Sequence, residues 1–358
     1  MRVAVYYSND DLRLEERPIP KISSQEILLR VEAAGICGSD VMEWYRRDKA
    51  PLVLGHEIAG TIEEVGTKVR NYKKGDRITC AHHVPCDRCK YCLSGHQTVC
   101  ETLRKTNIDP GGFAEFVRLP EANVKKGVFI LPESVSFEEA TFVEPLACVL
   151  RAQRLAGGVE GKSILVIGSG ISGILHIHFA RICGASFIVA VDISEFRLDA
   201  AKRFGADVSI YAKDYTAELG RRLNQQRLFE LVIVATSAPS AILQAFESVE
   251  RGGTVLFFAP CEPGVKIPVA FNELFWRTEI GFVSSYAATP HEYQEALDFI
   301  ARGNLRLKEM ITHRLDLSEI GLGFKLVVEA RDSLKVIVYP TGGSYYGLGN
   351  AKQDEPYL

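Results

Sequence analysis

Four cysteines fall within fifteen residues of this chain, and their spacing limits how that segment can fold. They are Cys86, Cys89, Cys92 and Cys100. Two residues between successive cysteines allow the sulfurs to converge on one ion, so the cluster is typical of a tetrahedral structural zinc site. A disulfide cluster and a redox-active thiol patch are the alternatives. We therefore expect a zinc-stabilised lobe at about residues 80–105.

Size and composition predict a soluble globular protein with two domains. The 358 residues exceed what one hydrophobic core usually supports, and 47% are hydrophobic while 24% are charged. A formal net charge of −3 and only short basic runs argue against a nucleic-acid partner. The apolar start at residues 1–7 is too short for a signal-peptide core. No membrane partner is expected, and an odd count of nine cysteines favours a reducing cytoplasm.

The hydrophobic pattern changes in the middle of the chain. The N-terminal part has short strand-like runs separated by glycines, among them 26–32, 57–65 and 77–80. From Lys162 onward, strand-like and helix-like runs alternate at 163–168, 174–183, 187–192 and 195–204. This alternation predicts parallel βαβ units, and hence an α/β protein with a β-rich N-terminal part. The tail beyond Pro340 is expected to form a loose arm or an oligomer contact.

The first βα turn of the second part carries the glycine pattern of a dinucleotide-binding site. Gly168 permits a tight turn, Gly170 leaves space for a pyrophosphate, and Gly173 allows the helix to lie close to the strand. Ile171 and Ser172 complete the turn, and the N-terminus of the helix offers free N–H groups to phosphates. A glycine cluster that serves only βαβ packing is the alternative.

Asp192 follows Gly173 by 19 residues, at the end of the next predicted strand. A carboxylate there can accept both ribose hydroxyls of the adenosine and would repel a 2′-phosphate, so NAD is favoured over NADP. Arg197 lies five residues further on. It could stack on the adenine or offset part of that repulsion, which leaves NADP open.

Metal-competent side chains also occur outside the cysteine cluster. Cys37 lies in the segment Gly35-Ile36-Cys37-Gly38, and His56 and Glu57 directly follow Gly55. Taken singly, such a histidine is more often a satisfied core residue and such a cysteine a small buried hydrophobe. Their co-occurrence predicts two halves of one metal site.

These motifs together resemble the zinc-dependent medium-chain dehydrogenase/reductase family over nearly the whole chain. Besides the glycine turn and the cysteine cluster, the matching segments are 53–57 (VLGHE), 65–66 (VG), 74–77 (KGDR) and 112–115 (GFAE). The resemblance implies a GroES-like β-rich catalytic domain at 1–150, a Rossmann NAD-binding domain with a doubly wound parallel sheet at 151–289, and a C-terminal return at 290–358. Two Zn²⁺ ions per chain, NAD and a homodimer or homotetramer are expected.

The segment Glu144-Pro145-Leu146-Ala147 is similar to the polyol (sorbitol) and threonine dehydrogenase branches, in which a glutamate is the third ligand of the catalytic zinc. The resemblance implies that Cys37, His56 and Glu144 hold that zinc. Glu57 would lie beside it, binding the metal transiently or holding its water. Without the resemblance, Glu144 would be a first-turn helix carboxylate that interacts with backbone dipoles.

The chemistry expected of such a site is hydride transfer between an alcohol and a nicotinamide, with zinc as Lewis acid on the reacting oxygen. Ser39 matches the hydroxyl that starts the family's proton relay, and a turn or helix-cap serine is the alternative. A histidine often follows that hydroxyl residue by three positions, but this chain has Met42, which cannot carry a proton. Proton release is then expected through the cofactor ribose or through Glu57.

The expected function is the interconversion of a secondary alcohol, on a polyol, cyclitol, sugar or sugar-acid skeleton, and its ketone. A threonine 3-dehydrogenase-like oxidation of an amino or hydroxy acid is the alternative. A non-catalytic, zinc-stabilised nucleotide-binding protein would leave the second metal site without purpose. Trp44 and Tyr45 are expected to wall the pocket, whereas Arg46, Arg47 and Lys49 are expected in a solvated loop rather than at an anion site.

Overall fold

The structure of the protein is a computed structural model that describes residues 1–342. The expected arm or oligomer contact of the tail lies almost wholly outside these residues. Within them the strands are β1 (Arg2–Ser8), β2 (Asp11–Glu16), β3 (Ile27–Gly35), β4 (Leu52–Val53), β5 (Glu57–Val65), β6 (Arg77–Cys80), β7 (Phe116–Leu119), β8 (Val128–Ile130), β9 (Ser163–Ile167), β10 (Phe187–Asp192), β11 (Val208–Tyr211), β12 (Phe229–Val234), β13 (Val249–Phe257), β14 (Gly281–Ser284), β15 (Ile311–Asp316) and β16 (Lys335–Tyr339).

The α-helices are mostly short in the N-terminal part and longer beyond residue 140. They are α1 (Glu43–Arg46), α2 (Lys90–Leu93), α3 (Glu101–Lys105), α4 (Glu121–Lys126), α5 (Phe137–Ala140), α6 (Val143–Leu155), α7 (Ile171–Ile182), α8 (Glu195–Arg203), α9 (Ala217–Leu223), α10 (Pro239–Ser248), α11 (Phe271–Phe275), α12 (Pro290–Ala301) and α13 (Ile320–Glu329). No helix in this part of the chain is long and apolar enough to cross a membrane.

The second part of the chain forms a six-stranded parallel sheet in the order β11-β10-β9-β12-β13-β14. Its central strand β9 is buried at every residue, as expected where helices cover both faces of a parallel sheet. The strand order reverses between β9 and β12, and ligands bind in such sheets at the crevice outside the carboxyl ends of the strands at that point. The predicted doubly wound Rossmann arrangement is confirmed.

The first part, completed by two C-terminal strands, forms a mixed sheet in the order β15-β16-β3-β5-β6-β8, with β7 also paired to β3. Strands β15 and β16 are parallel to each other, and the other neighbouring pairs are antiparallel. Strands β1, β2 and β4 make a separate small sheet. This is the β-rich arrangement that the glycine-separated runs predicted. The predicted strands at 57–65 and 77–80 have the observed bounds, whereas β3 continues three residues past 32, to Gly35.

The C-terminal segment returns to the first sheet. Strand β16 runs antiparallel to β3, with Ile337 opposite Gly35, and β3 in turn places Gly35 opposite Glu57 of β5. Lys335, the first residue of β16, thereby comes beside the start of β5. A side chain at Gly35 would overlap the Glu57 carboxylate and the Lys335 ammonium, so these two charged groups occupy the space that glycine leaves open.

Helix α6 connects the two parts and continues through residue 150 without interruption. It packs against α12, where Arg151 Nη1 lies 3.5 Å from Glu292 Oε1. Helix α6 also packs against β5 of the first part and α7 of the second, so residues 143–155 contribute to both parts. Glu144, the second residue of α6, lies close enough to His56 and Glu57 for their charges to act on its carboxylate.

Candidate active site and structural metal lobe

The four sulfurs of the cysteine lobe converge. The Sγ atoms of Cys89 and Cys92 lie 3.6 Å apart, as do those of Cys86 and Cys100, and Cys86 and Cys92 are 3.9 Å apart. Tetrahedral Zn–S bonds of about 2.3 Å place sulfurs about 3.8 Å from one another. None of the four forms a disulfide. The donor set therefore fits a closed zinc site, not the disulfide alternative.

The lobe also favours the thiolate form at one of its cysteines. Burial by itself raises the pKa of Cys100, but hydrogen bonds from backbone N–H groups outweigh burial and lower the pKa to about 6. The N–H of Cys86 contributes, at 3.5 Å from the Cys100 sulfur. Because thiolates are the form that binds metal, the backbone prepares this ligand before an ion arrives.

A second cluster brings together Cys37, His56 and Glu57, whose ligand atoms lie within 4.8 Å of one another. Cys37 follows the end of β3, and His56 and Glu57 lie at the start of the neighbouring strand β5, so strand pairing assembles the group. One sulfur, one imidazole and one carboxylate form a zinc donor set that leaves a position for substrate or water. The residues present therefore fit a catalytic metal.

Glu144 lies near this cluster but not within it. Its carboxylate is buried in the first turn of α6 and accepts a hydrogen bond from Cys148 Sγ at 3.4 Å. Burial raises the pKa of Glu144, His56 opposes that rise, and the charge of Glu57 adds to it. A cation bound at the cluster would compensate this buried carboxylate. That Glu144 is a ligand of the catalytic zinc stays a prediction.

Asp40 is a site residue that the sequence interpretation missed. Its side chain is fully buried, with Oδ1 3.4 Å from His56 Nδ1 and Oδ2 accepting the N–H of Cys37 at 3.0 Å. A carboxylate at Nδ1 fixes the orientation of the imidazole and leaves Nε2 for a metal. The sequence did contain a signal for Asp40, because this carboxylate lies only three residues after Cys37, a predicted zinc ligand.

Lys335 is a second missed residue. Its side chain is fully buried and its ammonium forms an ion pair with Glu57. The ammonium also lies 5.4 Å from the ring centre of Phe142. A single lysine at the start of an otherwise apolar strand was the sequence signal, because a charge is rarely buried unless it has a partner.

The glycine turn lines a cavity of about 410 Å³ at the carboxyl edge of the parallel sheet. The cavity is also lined by Asp192, Arg197 and, from the other part of the chain, Gly38. The residue next to Cys37 therefore faces the same cleft as the dinucleotide turn. This continuity places the second metal cluster beside the end of the cavity.

The three glycines of the turn serve different needs. Gly168 has a positive φ of 94°, and a side chain at Gly173 would overlap the carbonyl oxygen of Gly168. At Gly170, by contrast, an added Cβ would meet nothing closer than the Arg197 guanidinium, at 3.6 Å. Protein packing does not require glycine at position 170, so the space is available to a ligand.

Ile171 and Ser172 lie in the first turn of α7, where N–H groups face the cavity side. The buried Nε of Arg197 has no hydrogen-bond partner among residues 1–342. The other end of the same guanidinium, Nη1 and Nη2, lies beside Gly170, where a pyrophosphate would pass, so an anionic ligand there would partner this group.

Asp192 is held by two backbone N–H groups, from Ser169 at 2.6 Å and Ser194 at 2.9 Å. These bonds fix the carboxylate at the end of β10, in the cavity wall. The fixed negative charge there suits ribose hydroxyls and opposes a 2′-phosphate.

The segment after Ser39 departs from the expected solvated loop. The side chain of Arg46 is only 14% exposed, and its Nε donates to the carbonyl of Ser39 at 3.0 Å while Nη2 lies 3.4 Å from Ser39 Oγ. The expectation for Arg46 was wrong, because a buried Asp40 and the Ser39 turn draw the guanidinium inward. Arg47 follows the expectation, with 70% of its side chain exposed.

Comparison with known proteins agrees with this architecture. The family model of the alcohol dehydrogenase GroES-like domain matches residues 23–132, and that of the zinc-binding dehydrogenases matches residues 172–302. The chain belongs to the zinc-dependent medium-chain dehydrogenases. The predicted family is therefore confirmed, and the protein is an enzyme of the alcohol dehydrogenase type.

Among its relatives, a sorbitol dehydrogenase of Bacillus subtilis is 30% identical, over 95% of this chain and 97% of that protein. An L-threonine 3-dehydrogenase of Bacillus licheniformis is 31% identical, over 90% and 94%. Among solved structures, a putative zinc-binding dehydrogenase from Sinorhizobium meliloti bound to NADP has a TM-score of 0.84 at 26% identity, covering 95% of this chain and 99% of that one.

We predict that the two clusters hold separate zinc ions. Wild-type protein should contain about two zinc ions per chain. Cys100→Ser and His56→Ala should each contain about one, and both should melt below the wild type, because the first opens the closed ligand set of the lobe and the second leaves the buried Asp40 carboxylate with one partner fewer. Metal analysis and thermal melts measure both properties, with Cys183→Ser as the control that keeps two ions. A wild-type content of one, or two ions in His56→Ala, would contradict the assignment.

We predict that Lys335→Met destabilises the protein by about 3–5 kcal/mol, because it leaves the Glu57 carboxylate buried without its partner. Lys335→Met combined with Glu57→Gln should recover much of that loss, since neither charge remains. Urea unfolding followed by circular dichroism measures the change. Lys325→Met removes a largely exposed lysine and is the matched control. Equal stability of Lys335→Met and the control would show that the ion pair contributes nothing.

We predict that Gly170→Ala folds normally but binds NADH at least about tenfold more weakly, a loss of about 1.4 kcal/mol. The added methyl group would occupy space that the protein itself leaves open. Gly173→Ala is the matched comparison and should lower the melting temperature, because its methyl group collides with backbone. NADH fluorescence titration and thermal melts distinguish the two. Unchanged NADH affinity in Gly170→Ala would refute the placement of the ligand.

Proposed function

We propose that this enzyme interconverts a secondary alcohol on a polyol, cyclitol, sugar or sugar-acid skeleton and its ketone, with zinc and NAD. The observation that carries the proposal is the shared cleft, in which Cys37, His56 and Glu57 stand beside the cavity of the glycine turn. Hydride transfer needs the reacting carbon and the nicotinamide in contact, and this juxtaposition supplies the position. A scaffold without catalysis would need neither the open donor set nor its continuity with the cavity.

The relatives support an alcohol substrate and divide over its class. One is named a sorbitol dehydrogenase and another an L-threonine 3-dehydrogenase, and both are similar to this chain over nine-tenths of its length or more. A threonine 3-dehydrogenase-like oxidation of an amino or hydroxy acid is therefore the second candidate. The inward position of Arg46 is the observation that favours an acid.

Asp192 supports NAD as the cofactor, because its fixed carboxylate lies where a 2′-phosphate would have to approach. The related structure from Sinorhizobium meliloti is bound to NADP. A preference of this chain for NAD therefore requires the repulsion of a 2′-phosphate by Asp192 to exceed its attraction by Arg197, whose guanidinium lies beside the glycine turn.

When bound, zinc would supply Lewis-acid polarisation of the substrate oxygen, and NAD would supply the hydride acceptor. The chain's own residues orient the metal-binding side chains and accept or release the proton of the reacting hydroxyl. Asp40 orients His56, and Lys335 holds Glu57. Arg46 Nη2 donates to Ser39 Oγ, so the hydroxyl hydrogen of Ser39 is left to donate to a substrate oxygen. Glu57 is 2% exposed, so proton release through the cofactor ribose is the better route.

Some expectations about the protein's surroundings stay predictions. They are the homodimer or homotetramer, the cytoplasmic location and the absence of nucleic-acid and membrane partners. Sedimentation of the full chain would measure its state of assembly.

A screen of secondary alcohols, followed by NADH absorbance at constant zinc, tests the proposed function. We expect turnover of at least one secondary alcohol, a rate with NADP at least about tenfold lower, and loss of turnover in His56→Ala, which removes the imidazole from the cluster. Activity confined to primary alcohols would contradict both candidate functions.

A further inference from the structure

Arg46 places a cation against the Ser39 turn, next to Gly38 in the cavity wall, although Tyr45 and Arg47 on either side of it are exposed. Its guanidinium folds back over the Ser39 turn, with Nε and Nη2 directed at Ser39 and Nη2 3.6 Å from Asp40 Oδ1. Arg47, one residue on, is 70% exposed. The inward orientation is thus specific to position 46.

The contacts of Arg46 leave hydrogen-bonding capacity. Asp40 is shared, since its Oδ2 accepts the N–H of Cys37 and its Oδ1 lies closer to His56 than to Arg46. An arginine has five N–H donors, and Nη1 makes no hydrogen bond to any other residue in the range 1–342. A planar guanidinium with an open amino group is suited to carboxylate or phosphate.

A second cation, Lys49, lies close to Arg46. The ring of Tyr45 carries the Arg46 guanidinium on its face, 4.8 Å from its centre, and the Lys49 ammonium 3.6 Å from its centre. Arg46 and Lys49 are thus two cations on one aromatic ring, and in a chain of net charge −3 such a pair would attract an anion.

We propose that Arg46 binds an anionic group, a carboxylate or a phosphate, which the substrate carries within a few bonds of the reacting hydroxyl. The distance limit follows from Ser39, because the guanidinium lies against the same hydroxyl that meets the reacting oxygen. The proposal rests on the proposed function and narrows its substrate class from neutral polyols to acids or phosphate esters. Arg46 is then a specificity-determining residue.

The test compares ligands that share a carbon skeleton: D-gluconate, D-glucitol 6-phosphate and neutral D-glucitol. We expect the wild type to favour one of the two anions in kcat/KM. In Arg46→Gln, kcat/KM for that anion should fall about 10- to 100-fold more than for glucitol. Arg46→Lys keeps the charge and should retain part of the preference, and Arg47→Gln is the matched control that should match the wild type. The favoured anion identifies the source of the negative charge.

A binding measurement separates this proposal from the proposed function. Melting temperatures of the zinc- and NADH-loaded protein are recorded with each of the three ligands. A larger upward shift with an anion than with glucitol, lost in Arg46→Gln and kept in Arg47→Gln, supports the proposal even if no alcohol is oxidised, an outcome that would defeat the proposed function alone. Equal shifts with all three ligands, or equal losses of kcat/KM for anion and glucitol in Arg46→Gln, would overturn the proposal and leave Arg46 as a support for Ser39 and Asp40.

Discussion

The buried ion pair between Lys335 and Glu57 joins the last strand of the sheet to the strand that carries the metal cluster. A charge in so dry a position is tolerated only with a close partner, so each residue requires the other. The pair forms where β16 lies along β3, and its two charged groups fill the space left by the missing side chain of Gly35. Formation of the site thus requires β3 and β5, from the first third of the chain, to pair in one sheet with the last strand, β16.

Other buried carboxylates near the cluster also require a positive partner. Asp40 is compensated by His56 and Arg46, and Glu144 lies buried close to His56. The buried carboxylates of Asp40, Glu57 and Glu144 carry more negative charge than Arg46 and Lys335 offset. A cation bound at the cluster would complete the compensation. The cysteine lobe has the opposite character, since four sulfurs close around one position and leave no place for substrate. We therefore propose that the cysteine lobe stabilises the fold and that the cluster of Cys37, His56 and Glu57 carries the chemistry.

Local patterns were sufficient to predict the fold. Alternating runs predicted the parallel sheet, and the glycine turn stands where the pattern placed it, between β9 and α7. Cys37, His56 and Glu57 were identified because metal-binding residue types beside glycine are rare by chance. Lys335 and Arg46 were not identified as site residues. Lys335 gains its partner through a pairing that spans 278 residues, and Arg46 turns inward because of Asp40, whose burial no local pattern reveals.

Anomalous diffraction at the zinc absorption edge, from crystals of the zinc-loaded and NADH-bound protein, tests the central claim most directly. The account predicts two anomalous peaks per chain. One should lie among the four sulfurs of the lobe, and the other within about 2.0–2.3 Å of the Cys37 sulfur, a His56 nitrogen and a carboxylate oxygen, at the nicotinamide end of the cavity. A single peak at the lobe, or a second peak away from Cys37 and His56, would contradict it.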